Sequence, residues 1–246
     1  SHMANEARFE SISYFLSVVE NESGLRTTRV RDLREGLGGS PEHDRNFLHQ
    51  YLTLTRCDLF FADKAILVEG TTERLLLPKI IEKVDAENPQ TPNLASQYLT
   101  VMEVGGAYAH RFFELLDFLD LPTLVITDID TVTKGGGEAC RVSEGTRTSN
   151  GCIKNWFDPD TTPVALIAKT GEEKTNGIRR LAYQVPELED GACGRSFEDA
   201  FILANDEKFE IGKEGGAGLE KESWDLARNQ KKSEFALHYA IDDLDW

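Results

Sequence analysis

Two short acidic signatures, each set directly behind an apolar run, constrain this chain more than anything else in it. One is Ile66-Leu67-Val68-Glu69-Gly70-Thr71-Thr72-Glu73, and the other is Leu124-Val125-Ile126-Thr127-Asp128-Ile129-Asp130. Both runs have the length and β-branched content of strands buried on both faces of a parallel sheet. Strands of that kind end at the sheet edge where open α/β folds bind ligands, so each signature delivers its acids there. Four carboxylates at adjacent strand ends repel one another unless a cation lies between them. The pattern points to a divalent-metal site.

The chain around these signatures alternates strand with helix. Strands are predicted over 65–68, 98–104, 123–127, 163–168 and about 181–185, and helices over 72–86, kinked at Pro78, and over 107–120. Short links between them imply right-handed βαβ units and a mainly parallel central sheet, an α/β fold with flanking helical segments. Residues 4–57 read as a separate helical segment. Phe9, Ile12, Leu16 and Val19 recur at helical spacing, and Ser40-Pro41-Glu42 opens a helix bearing Phe47, Leu48, Tyr51 and Leu52. The stretch 131–157, with Gly135-Gly136-Gly137 and small polar residues, reads as one long loop. Its Arg141, Arg147 and Lys154 are candidates for contact with a substrate backbone. After a glycine-rich linker from Gly212 to Gly218, a last helical segment covers about 220–240. The implied division is 4–57, a catalytic α/β domain at 58–205, and a C-terminal helical segment at 206–246.

Each candidate site residue also has an ordinary structural reading. Glu69 closes its strand, Gly70 allows a sharp turn, Thr71 or Thr72 can cap the next helix, and Glu73 lies in its first turn. A first-turn glutamate often only favours the helix dipole, whereas a charge directly behind a buried strand needs a partner. Asp128 and Asp130 stand two apart and emerge on one side of an extended segment. That arrangement suits Mg²⁺, although such a pair can also simply cap turns. Ser196-Phe197-Glu198 begins a helix, with Ser196 as N-cap and Glu198 in the first turn, where capping alone is the alternative. Lys231 and Lys232 are cations in an acidic tail, and a lysine brought to a carboxylate–metal centre stabilises charge developing on a phosphoryl group.

Composition limits the partners. Against 27 basic residues stand 43 acidic ones, a formal net charge of −16 over 246 residues, which excludes coating DNA through bulk charge. A local basic groove is still compatible with it. The cluster Arg26, Arg29, Arg31 and Arg34 reads as a solvated helix face, with a nucleic-acid contact as the alternative. Cys57, Cys140, Cys152 and Cys193 form no C-x-x-C pair and no zinc spacing, as expected of reduced thiols in the cytoplasm. No apolar run approaches the ~20 residues of a membrane span. The opening Ser1-His2-Met3 has the character of an expression tag, so the chain is expected to be part of a longer protein.

A strand-terminal glutamate followed by a D-x-D after a later strand resembles the Toprim domain of topoisomerases, primases and nucleases. A longer ordered series resembles the OLD (overcoming lysogenisation defect) family of nucleases. It comprises Tyr51-Leu52-Thr53, Phe60-Phe61-Ala62-Asp63, Val68 to Glu73, Gly105-Gly106, Thr127 to Asp130, Gly194-Arg195-Ser196-Phe197-Glu198 and Lys232 with Phe235-Ala236. This resemblance covers about residues 48–240. It implies a Toprim fold and hydrolysis of DNA phosphodiesters by two Mg²⁺ or Mn²⁺ ions. Carried onto this chain, it gives Glu69, Glu73, Asp128, Asp130 and Glu198 as metal ligands, with Ser196 assisting directly or through water. Lys232 becomes the stabiliser of the transition state, with only the motif register separating it from Lys231. In that family an ABC-type ATPase precedes the Toprim region; no G-x-x-x-x-G-K-[ST] loop occurs here, so the ATPase region is an expected partner, as is a homodimer of the full-length form.

Two other classes fit part of the pattern. Asp128-Ile129-Asp130-Thr131 matches the nucleophile motif of haloacid-dehalogenase-like phosphatases, with Asp128 as nucleophile and Thr170, Asp242 and Asp243 as later motifs. That reading leaves Glu69 and Glu73 idle. A non-catalytic module, whose acidic edge only docks a partner, is the third.

Overall fold

The computed structural model describes residues 11–19, 24–37, 46–48, 51, 58–105, 108–135, 137–159, 161–186, 191–212 and 216–246. Its centre is a five-stranded sheet of β3 (Lys64–Val68), β4 (Leu99–Glu103), β5 (Thr123–Ile126), β8 (Thr175–Asn176) and β9 (Arg179–Ala182). The spatial order is β4-β3-β5-β9-β8. All neighbours run parallel except β8, which pairs antiparallel with β9 at one edge. The sheet is therefore mainly parallel and the fold is α/β, as the strand–helix alternation requires.

Both faces of the sheet are covered, which explains why β3 is apolar almost throughout. Ala65 and Leu67 face a core shared with Met102, Val125, Leu181 and the helix α2 (Phe113–Leu119). Ile66 and Val68 face the other way, toward Leu77 and Ile81 of α1 (Thr71–Glu87). Pro78 lies inside α1, which continues through it to Glu87. From β3 the chain crosses to β4 on one side, then returns to β5 on the other. The carboxyl ends of β3 and β5 thus flank the point where strand order reverses, the usual crevice for ligands in such sheets.

Downstream helices pack against α1. Leu76 and Ile80 meet Phe201 and Ile202 of α5 (Phe197–Ala204) and Phe235 of α7 (Lys232–Leu237). The intervening α6 spans Gly216–Asn229, so the helical segment expected over about 220–240 consists of two helices.

Several expectations are corrected. Within 4–57, residues 13–32 form an antiparallel hairpin, β1 (Ser13–Val19) with β2 (Arg26–Asp32), where helix was expected, and a short helical turn over Leu33–Gly36 follows it. Aromatic and β-branched residues dominate 14–19 and 27–30, and Tyr14, Leu16 and Val18 alternate inward, so strand periodicity outweighs the helical spacing. Gly24, at φ 65°, lies in the connection. Arg26, Arg29 and Arg31 consequently lie on a strand, and Arg31 pairs with Asp120 at 3.7 Å. Helical residues occur at 46–48 and 51, where Phe47 and Tyr51 pack on the main core; Phe9, Ser40-Pro41-Glu42 and Leu52 fall outside the described residues.

The expected strand at 163–168 is a short helix, α4 (Pro163–Ile167). Thr162 caps it by accepting from Ala165 N–H at 3.3 Å, with proline at its first position, a start signal stronger than the apolar run behind it. The expected loop at 131–157 is an ordered insert: a hairpin of β6 (Thr131–Val132) and β7 (Arg147–Thr148) leads into α3 (Gly151–Phe157). It buries Cys140, Thr148, Asn150, Cys152 and Ile153, which gives it a core contact that its small polar composition conceals.

Candidate active site

Glu69 follows the last residue of β3, and Asp128 lies two residues beyond β5. Parallel pairing sets Leu67 beside Val125, so the two acids leave the sheet as neighbours. Gly70 is the N-cap of α1 in an extended conformation, so its role is spatial and not one of unusual dihedrals. The Glu73 side chain folds back over it, and a Cβ at Gly70 would meet Glu73 Oε2 at 3.3 Å. Glu69, Gly70, Thr71, Thr72, Glu73, Asp128, Lys232 and Ser233 line one open cavity of about 410 Å³.

The acids are held by polar contacts from distant segments. Glu69 Oε1 accepts from Thr127 Oγ1, from Asp128 N–H at 3.0 Å and from Asn150 Nδ2 at 2.7 Å. Asp128 Oδ1 accepts from Gln184 Nε2 at 2.6 Å. Glu198, in the first turn of α5, accepts from Thr72 Oγ1 at 2.8 Å and pairs with Lys232 Nζ at 3.0 Å. Lys232 begins α7, which α1 carries to the cavity rim. Lys231 instead pairs with Glu234 at 2.8 Å. Of the two lysines, Lys232 is the one that lines the cavity.

Asp130, at φ 48°, turns away from the cavity lining and pairs with Arg195 Nη2 at 2.7 Å. The hydroxyl of Ser196 donates to Asp199 Oδ1 at 2.6 Å. The α5 N-terminus is a capping box in which Asp199 accepts from the backbone N–H groups of Arg195 and Ser196 at 2.7 and 2.5 Å. As arranged, Ser196 and Asp130 are both engaged with protein partners. The three basic residues expected to meet a substrate lie on the β6–β7–α3 insert. Arg141 pairs with Glu144, Arg147 is exposed on β7, and Lys154 donates to Ser149 O at 3.1 Å. Ser149 N–H in turn donates to Asp130 O at 2.8 Å, which ties the insert to the acidic edge.

Electrostatics matches the geometry. Glu73 and Asp128 are only 5% and 6% exposed, and Glu198 3%. Burial raises Glu69, opposed by its hydrogen bonds. Burial also raises Glu73, helped by Glu198 and Glu69. Asp128 is pushed well above the ordinary aspartate range by burial and then by Glu69, Glu73 and Asp130. Burial pushes Glu198 upward too, but the Lys232 ammonium and hydrogen bonds from Lys232 and Thr72 outweigh it and hold it low.

This is a cluster of oxygen donors short of positive charge, the chemistry that hard divalent cations satisfy. Among the described residues, no three acidic, histidine or cysteine side chains already stand in the spacing of a metal cage. The donor chemistry fits an ion, and binding would have to draw the carboxylates together.

The residues that hold the acidic edge and that sequence reasoning did not place there are Asn150, Gln184 and Asp199, together with Thr72, which it read only as a helix cap. Asn150 carried a legible signal, since Asn is a favoured helix N-cap, and Asp199 stands three residues after the Ser196 N-cap. Gln184 carried none.

The fold and this edge define a Toprim domain of α/β class. Residues 60–130 match the family described as overcoming lysogenization defect protein-like, TOPRIM domain, so the chain contains an OLD-like Toprim domain there. It is 31% identical over 169 residues to Endonuclease GajA of Bacillus cereus (strain HuB5-5), covering 67% of this chain and 23% of that protein. With Endonuclease GajA of Bacillus cereus (strain VD045) it is 32% identical over 76 residues, covering 31% of this chain and 12% of the relative. The chain thus spans less than a quarter of the length of these relatives.

Proposed function

We propose that this chain is the catalytic region of a metal-dependent DNA nuclease. The observation that carries the reading is the gathering of Glu69, Glu73, Asp128 and Lys232 around one cavity at the strand-order reversal. The OLD-like Toprim domain and likeness to proteins named endonucleases support it. Glu69, Glu73 and Asp128 would hold Mg²⁺ or Mn²⁺, with Glu198 behind Glu73. Asp130 and Ser196 would join once released from Arg195 and Asp199. Two bound ions would supply an activated water and charge neutralisation at the scissile phosphate, the usual two-metal chemistry.

The protein's own part is positioning and electrostatics. Lys232, whose side chain is 68% exposed, sits at the rim where it can pass from Glu198 to a phosphate oxygen. Arg141, Arg147 and Lys154 would meet the DNA backbone along the insert. We propose the Toprim catalytic domain as 58–205 and residues 206–246 as the segment that delivers Lys232. Coupling to an ATPase region, homodimerisation and cytoplasmic location belong to the same reading of the longer protein. No helix among the described residues is long and apolar enough to cross a membrane.

The phosphatase alternative loses support. Thr170 lines a different depression with Glu172 and Arg180, and Asp243 pairs with Lys208 at 2.7 Å. The test is cleavage of supercoiled and linear DNA with Mg²⁺, Mn²⁺ or EDTA, beside Glu69→Ala and Asp128→Ala. Metal-dependent cleavage absent from both folded variants is expected. Cleavage retained in both would sink the assignment, and turnover of a phosphomonoester without DNA cleavage would favour the phosphatase.

A further inference from the structure

Two carboxamides far apart in sequence hold the two central acids. Asn150 is buried where the β6–β7 insert enters α3, and its Oδ1 accepts from Cys152 and Ile153 N–H at 2.9 and 3.1 Å. Those bonds fix which way the amide points. Its Nδ2 must therefore face the sheet edge, where it donates to Glu69 Oε1 at 2.7 Å, Thr127 Oγ1 at 2.8 Å and Asp128 O at 3.0 Å. Gln184 repeats the logic just beyond β9. Its Oε1 accepts from Ile129 N–H at 2.7 Å, which aims Nε2 at Asp128 Oδ1 at 2.6 Å.

Each amide thus occupies one oxygen of one acid. Glu69 Oε1 and Asp128 Oδ1 are taken, whereas Glu69 Oε2 and Asp128 Oδ2 have no hydrogen-bond partner among the described residues. Both acids line the cavity. We propose that Asn150 and Gln184 are positioning residues that fix the rotamers of Glu69 and Asp128 and leave one oxygen of each to bind a divalent cation. The inference rests on the nuclease reading and deepens it, since it names what orients the metal-binding acids. Neither amide touches the ion or the substrate; both act through a carboxylate.

Partners of this kind change metal affinity or activity by about 10–100-fold when removed. The test is Mn²⁺ titration of the 246-residue protein, followed by the electron paramagnetic resonance of free Mn²⁺, with Gln184→Met and Asn150→Ser. Gln184 is only half buried, and methionine keeps its length without its donor. Serine at 150 keeps an acceptor for the N-terminus of α3 and removes the amide that reaches Glu69. The expected result is Mn²⁺ affinity lowered about 10–100-fold in each variant. DNA cleavage should be lost at limiting Mn²⁺ and recovered at saturating Mn²⁺. A purely structural role predicts something else: lower thermal stability without metal and unchanged affinity. Wild-type Mn²⁺ affinity in both folded variants would overturn this inference alone. No Mn²⁺ binding by the unsubstituted protein would overturn the nuclease reading and this inference with it.

Discussion

Asp199→Ala is the perturbation that best separates the scaffold of this site from its chemistry. Asp199 is buried at the third position of α5, and no substrate or ion need touch it. It accepts three hydrogen bonds, from Arg195 N–H, Ser196 N–H and Ser196 Oγ. A hydrogen bond to a charged group contributes about 1.5–3 kcal/mol, and losing an N-terminal cap costs about 1 kcal/mol. Against this stands the burial that raises the Asp199 carboxyl, a cost removed with the side chain. The net loss should be about 2–4 kcal/mol, because two backbone N–H groups are left without their acceptor. For a chain of this length, that corresponds to about 5–15 °C in midpoint temperature. Thermal and urea unfolding in EDTA give the number directly. The same change should loosen Glu198 beside it and Arg195, which holds Asp130, so Mn²⁺ affinity should fall as well. Asp199→Asn retains an acceptor and should lose less. A loss below about 1 kcal/mol for Asp199→Ala would refute the claim that this capping box anchors the edge.

Lys232→Met should abolish cleavage and raise the Glu198 carboxyl, whose depression depends chiefly on that ammonium, as Glu198 titration by NMR would register. Lys231→Met, which removes only a surface pair with Glu234, should leave cleavage unchanged and alter stability by less than about 1 kcal/mol. In EDTA the contribution of Glu69, Glu73 and Asp128 to stability should grow as pH falls through their raised values toward the ordinary carboxylate range of about 4. These acids bind protons more readily folded than unfolded, so stability is lost as pH rises from their unfolded values through their raised ones. Asp128→Asn should flatten that slope, and identical slopes in midpoint temperature against pH would contradict it.

What was legible in the sequence was the part that local patterns encode. Strands β3 and β5 are covered on both faces, so each appears as an apolar run broken by an acid, and parallel pairing then makes Glu69 and Asp128 neighbours. The strand Ser13–Val19 resembles a helix in sequence because its apolar residues satisfy helical and alternating spacing at once, and only docking of Tyr14 and Ile12 on the core decides between them. Ala165-Leu166-Ile167 is similarly ambiguous, and the Thr162-Pro163 start resolves it as helix. Lys232 could be ranked above Lys231 only by motif register, since adjacent residues differ in nothing but the helix face they take. Gln184 and Asn150 were illegible for a plainer reason. The acids they hold stand 56 and 81 residues away, and a polar side chain satisfied at that distance leaves no periodicity behind.

The same contacts explain how a fold can tolerate such a cluster at all. Glu69, Asp128 and Glu198 are surrounded by donors that do not neutralise them: hydroxyls, carboxamides and backbone N–H groups, with Lys232 as the one cation the hydrogen-bond and ion-pair network gives these three acids among the described residues. Dipoles of this kind make a buried carboxylate bearable without cancelling its charge, which is why Glu69 and Asp128 stay raised while Glu198, beside the lysine, does not. A second lysine in place of Gln184 would make the edge more stable and less able to attract a cation. The amides therefore preserve an unmet demand for positive charge, and that demand is what a divalent ion would meet, stabilising the folded state by an amount that grows with the logarithm of its affinity.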